Sequence, residues 1–404
     1  MVTQQRGVVL IIVLWFLAVV TVMIATLATD TRLSAIAVSH NKAGLEDWSH
    51  TMAALQLAQM EILMINMAAH PDDEERQEFL EENWPWQHRF DGRPLNLAYN
   101  DAEYDEIADE YRLPKGTVVR IYDHSGKINL ANLQPAQFKE LLKYRIGEDD
   151  LERLDSLVDA WRDWIDGDDL ERMNGAENDY YEELEPPYKP RNSKLETVQE
   201  LLLIKGFSEV YTVEEVEAAF TIYGTHQKLN PNLATREALN MLPGSGGLTE
   251  QILVSRRSEP IKNPGMLNDF AELEQLTEFL PWIGFDTGFY YTIIVQHNQK
   301  LPVINEDGEI VLQLAGINEE DEEIDIDQDD KQQAAKFNEK ANEDNEVKAP
   351  QPSIEQAYSI TIQARGTSRL PKILQVNPYG FVPDHSYELA IVQHEKENED
   401  SMID

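Results

Sequence analysis

An uncharged, strongly apolar run over residues 8–29 constrains the fold of this chain more than any other feature, with Arg6 the only charged side chain ahead of it. As a helix rising about 1.5 Å per residue, the run spans about 33 Å, enough to cross the hydrocarbon core of a bilayer. A cleaved secretory signal has a shorter apolar core that ends in small residues, whereas here Trp15, Phe16 and a string of Val, Ile and Leu continue past that length. The expectation is a transmembrane helix over 8–29. Arg6 at the cytoplasmic edge, with Asp30 and Arg32 at the far edge, predicts an N-in, C-out orientation that leaves the bulk of the chain beyond the membrane. Leu45, Trp48, Met52, Leu55, Leu57, Met60, Leu63 and Met67 then recur at three- and four-residue steps. That period predicts an amphipathic continuation to about His70-Pro71, its stripe packed against a sheet. The methionines in it read as packing and not as a cofactor box.

The chain has 404 residues, more than one compact core usually holds, so two domains and an anchor are expected. Its formal net charge of -40 argues against nonspecific binding to nucleic acid or anionic lipid, both of which need basic surface. With no Cys, thiol catalysis, Cys-ligated zinc and disulfides are excluded. No H-E-x-x-H, G-x-S-x-G, Walker loop or dinucleotide fingerprint is present, and no enzyme is expected. His124 beside Asp123 is the most tempting polar pair, but Ser125-Gly126 follow it, so it reads as a turn. Trp161 and Trp164, at i and i+3, read as core or interface aromatics.

The middle of the chain contains a degenerate repeat. KINLANLQPAQFKELL from Lys127 and KLNPNLATREALNML from Lys228 share a Lys-apolar-Asn opening, a second Asn and a following helix. Further helices are predicted over 151–164 and 248–257, each followed by an acidic, leucine-bearing segment, LETVQELLLIKG or MLNDFAELEQL. Two copies of one helical unit would make an all-α domain over 127–284. Between its second and third helices the first copy carries extra material, roughly residues 164–192, that the second copy replaces with RSEPIKNPGM. The extra segment holds Asp166, Asp168, Asp169, Glu171, Glu177, Asn178, Asp179, Glu182 and Glu183, with glycines at 167 and 175. So many carboxylates repel one another unless a cation or water screens them. Hard oxygen ligands in a flexible loop suit Ca²⁺, although the spacing is not that of an EF-hand. A solvated acidic surface loop is the alternative on these residues alone.

Segments 116–122, 288–296, 357–365 and 387–394 are rich in β-branched and aromatic residues and read as strands. Residues 318–347 lose their apolar side chains and gain carboxylates, the composition of a disordered acidic loop. Asp325, Asp327 and Asp329 within it lack the glycine turn that would make a second metal site. The fold class expected is α+β: a long N-terminal transmembrane and amphipathic helix on an antiparallel sheet, with a large all-α domain inserted into that sheet.

Arg6-Gly7 followed directly by an apolar, then amphipathic, helix resembles the class III signal of type IV pilins and pseudopilins. DHSGKINL from Asp123, DWIDGDD from Asp163, GAENDYY from Gly175, PPYKPRN from Pro186, ELLLIKG from Glu200 and KLNPNLATREALNMLP from Lys228 resemble the minor pseudopilin K family of type II secretion systems. The resemblance extends to about Trp282. It implies cleavage by a prepilin peptidase after Gly7 and methylation of the new N-terminus at Val8. The fifth mature position, usually Glu, is Ile12 here, as in the K subunit. The expected division is a leader at 1–7, a membrane helix at 8–29, pilin-like parts at 30–126 and 285–404, and the all-α domain between them.

The implied function is a minor pseudopilin at the pseudopilus tip with the I and J subunits, initiating or capping the filament that exports folded proteins across the outer membrane. The implied place is the bacterial inner membrane, single-pass, with the N-terminus cytoplasmic and the bulk periplasmic. Calcium is the implied cofactor in the acidic insertion, at Asp166, Asp168, Asp169, Glu177, Asn178, Asp179 and Glu182. A type IV pilus minor pilin is the nearer alternative. A helix-hairpin-helix nucleic-acid binder, suggested by LLLIKGFS and MLPGSGG, is the remote one, and nucleic acid is not an expected partner.

Overall fold

The computed structural model describes residues 6–68, 90–95, 113, 116–297, 300–304, 310–314, 357–365, 370–386, 388 and 392. The expected acidic loop at 318–347 and leader residues 1–5 lie outside the described residues. Two compact units are distinguished, Met1–Ala53 and Ala54–Asp404.

Helix α1 (Arg6–Ala68) runs through the whole expected membrane segment and ends near the predicted His70-Pro71. Among the described residues, no helix is long and apolar enough to cross a membrane. In the second unit α1 buries Ala54, Leu55, Ala58 and Ile62. Of the predicted stripe, Leu55 is buried and Met52, Leu57 and Leu63 are half-buried, whereas Leu45, Trp48 and Met60 are exposed. Alanines at i and i+4 allow a closer approach than large side chains would, so the buried face is the one with the small residues.

The main sheet is antiparallel in the order β1-β2-β5-β8-β9, built from β1 (Asp91–Pro94), β2 (Val118–Asp123), β5 (Tyr290–Gln296), β8 (Ala357–Gln363) and β9 (Lys372–Gly380). Strands β2, β5 and β8 fall where β-branched and aromatic residues predicted them. Two strands of this sheet were not expected, β1 and β9. Of the strand predicted at 387–394, the described residues 388 and 392 are helical instead, since a short apolar run does not by itself separate strand from helix. A separate antiparallel hairpin joins β6 (Lys300–Ile304) to β7 (Ile310–Leu314).

Strands β2 and β5 are hydrogen-bonded neighbours, Asp123 opposite Tyr291 and Val118 opposite Gln296. Everything between them is inserted at one end of that pair. The inserted segment contains β3 (Ile128–Asn129), α2 (Pro135–Ile146), α3 (Leu151–Ile165), α4 (Asn178–Glu182), α5 (Val213–Ala219), β4 (Phe220–Thr221), α6 (Arg236–Asn240), α7 (Leu248–Ser258) and α8 (Leu273–Phe279). Its own core runs from Ile128 to Ile283 and centres on aromatics such as Phe138, which meets Trp161 edge-on at 4.8 Å and stacks on Phe207 at 5.5 Å. Trp161 and Trp164 are both buried.

The segment is not purely helical. Ile128 and Asn129 pair in parallel with Phe220 and Thr221, and Leu229 bridges in parallel to Ile283. These pairings are too short to show a strand period in sequence. They close two similar loops of chain. Asn129 Oδ1 accepts from the amide of Ala131 at 3.0 Å while its Nδ2 donates to the carbonyl of Tyr223 at 3.1 Å. Asn230 Oδ1 accepts from the amide of Asn232 at 3.0 Å and its Nδ2 donates to the carbonyl of Asp286 at 3.1 Å. A shared Asn, two residues into each repeat motif, thus turns its own backbone and ties down the end of its copy.

After β9 the chain clasps the sheet and the inserted segment together. Arg120 of β2 pairs with Glu388 at 2.6 Å, the hydroxyl of Tyr122 lies 2.5 Å from His385 Nε2, and the amide of Asp384 donates to Glu237 of α6 at 2.8 Å. Burial pushes the Glu388 carboxyl up, but His385 beside it and the Arg120 guanidinium outweigh burial and hold it at about 2. A carboxyl depressed in the fold adds stability above its unfolded range and loses it as pH falls. Replacing Glu388→Gln is therefore expected to lower stability at neutral pH by about 2 kcal/mol. It should also flatten the acid-induced loss of stability between about pH 4.5 and about 2, read by chemical denaturation across pH.

Candidate metal centre

The acidic insertion leaves the C-terminus of α3, an amphipathic helix whose buried face carries Leu154, Leu157, Val158, Trp161 and Trp164. Asp163 lies on that buried face and organises the loop. Its Oδ2 accepts from the amides of Arg172 at 3.2 Å and Ala176 at 3.0 Å, and its Oδ1 from the Arg172 guanidinium at 2.5 Å. Gly175 is required at its place because a Cβ there would overlap the Asp163 carboxylate. Arg172 also reaches Asp166 Oδ2 at 2.5 Å, and so neutralises part of the cluster from inside.

Glu177, just before α4, is the focus of what remains. It is 5% exposed, and among the described residues neither of its carboxylate oxygens has a hydrogen-bond donor. Burial first, and then the negative charges of Asp163, Asp166, Asp169 and Asp168, push its carboxyl up to about 7. Asp166 Oδ1 and Asn192 Oδ1 are likewise buried without a donor. Asn192 holds a left-handed backbone (φ 49) that Asn tolerates better than most residues. Its Nδ2 donates to Asp169 Oδ1 at 2.7 Å and to the carbonyl of Asp168 at 3.2 Å, which draws the far end of the insertion onto the loop. Asn178 Nδ2 donates to the same Asp169 oxygen at 3.0 Å.

Of the seven residues expected as ligands, Asp166, Asp168, Asp169, Glu177 and Asn178 come together. Asp179 and Glu182 do not, since both are exposed and Glu182 pairs with Lys189 at 2.8 Å. The short α4 turns them outward. Among the described residues, no group of three or more acidic or histidine side chains is drawn up as a finished metal cage. Within the loop itself the unsatisfied atoms are oxygens: both of Glu177, Asp166 Oδ1 and Asn192 Oδ1. Burying such oxygens unpaired is costly, and a hard divalent cation would satisfy them. The residues thus fit a calcium-type ion, with Glu177, Asp166 and Asn192 as the atoms in want of one. Asn192 was missed in sequence because it stands outside the run of carboxylates. Asp163 was missed because it reads as part of a helix.

Other sequence-selected positions do not join this site. Gly7 and Val8 lie in the first turns of α1, Ile12 is exposed on it, and Asp123 and His124 sit at the sheet end. His124 is buried between Thr221 Oγ1 at 2.7 Å and Thr292 Oγ1 at 2.8 Å, and burial lowers its basicity. It makes the structural turn predicted for it.

This is an α+β protein whose sheet is opened by a two-copy helical segment, with an oxygen-rich loop in the first copy. The family model for type II secretion system protein K matches residues 118–214, which contain β2, the first copy and the whole loop. It is 38% identical to the Pectobacterium carotovorum type II secretion system protein K over 78 residues, 19% of this chain and 24% of that one. It is 28% identical to a putative type II secretion system protein K of Escherichia coli K12 over 236 residues, 57% of this chain and 67% of that one. The matched part spans a quarter to two thirds of the length of these relatives. A solved GspK-GspI-GspJ complex from enterotoxigenic Escherichia coli is similar at TM-score 0.38 and 13% identity, covering 68% of this chain and 99% of the matched chain.

The geometry orders the expected mutational effects. Calcium at a hundredfold over its dissociation constant should stabilise the chain by about 2.7 kcal/mol. Glu177→Gln and Asn192→Ala should each shrink the calcium-dependent rise in melting temperature, while Glu182→Gln leaves it unchanged.

Proposed function

We propose that this chain is a minor pseudopilin of a type II secretion system, seated at the pseudopilus tip with the I and J subunits and initiating or capping the filament. The observation that carries this reading is the protein K match over residues 118–214, a stretch that holds the first part of the insertion and its acidic loop. The partners are those named with the GspK relative of known structure. A type IV pilus role is less well supported, because the curated relatives are type II secretion proteins. Binding to nucleic acid is opposed by the net charge of -40. The role is assembly, and no catalysis is assigned to it.

The N-terminus takes the anchor role in this proposal. Six consecutive large apolar side chains, Ile12, Val13, Leu14, Trp15, Phe16 and Leu17, are exposed on α1 and cover more than one full turn. A helix that is apolar on every face needs lipid or other helices around it, which supports a single inner-membrane span over 8–29 with the bulk of the chain periplasmic. Cleavage by prepilin peptidase after Gly7 would leave a methylated Val8 at the start. Ile12 then removes the carboxylate that could pair with a neighbouring subunit's amine in hydrocarbon. A subunit that offers no such pairing, and that carries a bulky insertion over 127–284, suits an end of a filament better than its shaft. Calcium is the proposed resident ion of the acidic loop, where it would supply charge and hold the loop's oxygens together.

Two measurements test the reading. Mass spectrometry of protein from its native membrane should find N-methylated Val8 as the first residue, and an intact Met1 would refute the leader. Coexpression of the full chain with the I and J subunits should give a stable ternary complex, and its absence after correct processing would sink the tip assignment.

A further inference from the structure

The acidic loop is tied down on both sides of two apolar residues. Ahead of them, Asp169 accepts from Asn178 and Asn192, and Asp168 Oδ1 accepts from the amide of Leu170 at 3.0 Å. Between and behind them, Arg172 is held by Asp163 and Asp166, and the carbonyl of Asn174 accepts from Ser156 Oγ at 2.9 Å. Within this frame Leu170 is 76% exposed and Met173 is 97% exposed. A lone exposed apolar side chain needs no explanation. Two within four residues, on a loop pinned around both, are held out of the core.

The surface around the pair is acidic. Asp168, Asp169 and Glu171 are exposed, while the intervening Arg172 is committed to Asp163 and Asp166. We propose that Leu170 and Met173 are a docking knob for a basic amphipathic segment of a partner protein. Its apolar stripe would receive the two side chains, and its Lys or Arg residues would meet Glu171, the exposed carboxylate between them that the metal centre does not use. Methionine suits such a contact because its unbranched thioether adapts to the surface it meets, and complementary charge at the rim steers the encounter. An anionic lipid surface is a poor occupant, since the same carboxylates and the net charge of -40 repel it. The proposal rests on the metal-centre reading for the stiffness of the loop and goes beyond it in naming what the loop meets.

The test uses the full chain in nanodiscs of zwitterionic lipid, with calcium present and a synthetic amphipathic Leu-Lys helical peptide as the probe. A Leu-Glu peptide of the same pattern is the control. The Leu-Lys peptide should bind saturably and the control should not, and the double change Leu170→Ser with Met173→Ser should weaken binding about tenfold or more. Undiminished binding by the double variant would overturn the proposal, because the attraction would then be charge alone. Absence of saturable binding to the unaltered chain would overturn it as well. The calcium-dependent melting shift, measured on both proteins, separates the two readings. A shift retained in the variant alongside lost binding supports the knob, whereas a missing shift in the unaltered chain counts against the metal centre and is read independently of peptide binding.

Discussion

The carboxylate of Asp123 is the contact on which the architecture turns. It accepts from the amide and hydroxyl of Ser125, at 2.8 and 2.7 Å, where the chain leaves the sheet, and from the amide of Gly288 at 3.2 Å, where the chain returns. One buried side chain therefore holds both ends of the insertion. The entropic cost of closing a loop grows slowly with its length, so two paired strands tolerate a very long connection provided its ends meet. Asp123 and Tyr291, opposite each other in register, bring those ends together. His124 extends the junction by bridging Thr221, at the close of the first copy, to Thr292 of β5.

From that junction the two copies build the same closure with different contents. Asn129 and Asn230 do equivalent work, each turning its own backbone and fastening a distant carbonyl. What distinguishes the first copy is the acidic loop between its second and third helical elements, where Arg172 satisfies one side and Glu177 is left with neither oxygen satisfied. The loop is in this sense a charge problem solved by half. Its far side is tied by Asn192, so a cation bound there would link the start of the insertion to its end. A second set of ties anchors the helical segment to the sheet: Asp91 of β1 is buried against Arg93 at 3.0 Å and Arg256 of α7 at 3.4 Å. Buried pairs of this kind add little net stability but strongly disfavour any other docking, because a displaced partner leaves a charge unpaired.

Much of this was legible in residues alone. Strands β2, β5 and β8 carry dense β-branched and aromatic runs, and the helices of the insertion carry a clear three- and four-residue period. Strand β9 was not legible, because Asn377, Pro378 and Gly380 break its pattern and edge strands tolerate such residues. The stripe on α1 was read only in part, for a different reason. Hydrophobicity marks the large side chains, whereas the buried positions at Ala54 and Ala58 were chosen by how closely the helix could be approached. In the acidic loop the sequence located the cluster of carboxylates, but not which of their oxygens are buried without a donor.

By itself the sequence determined the apolar N-terminal run, the α+β class, the two-copy character of the middle segment and the place of the acidic insertion, because each is written in local period, composition or motif. Only the tertiary structure decided which oxygens are left without donors. Glu177 is unsatisfied because the fold buries it beside Asp163 and Asp166, and Arg172 is spent on those two. Asn192 joins because its left-handed backbone returns the chain to Asp169. Asp179 and Glu182 drop out because a single helical turn points them to solvent. Burial and the supply of donors depend on residues far apart in the chain, and no local pattern carries that information.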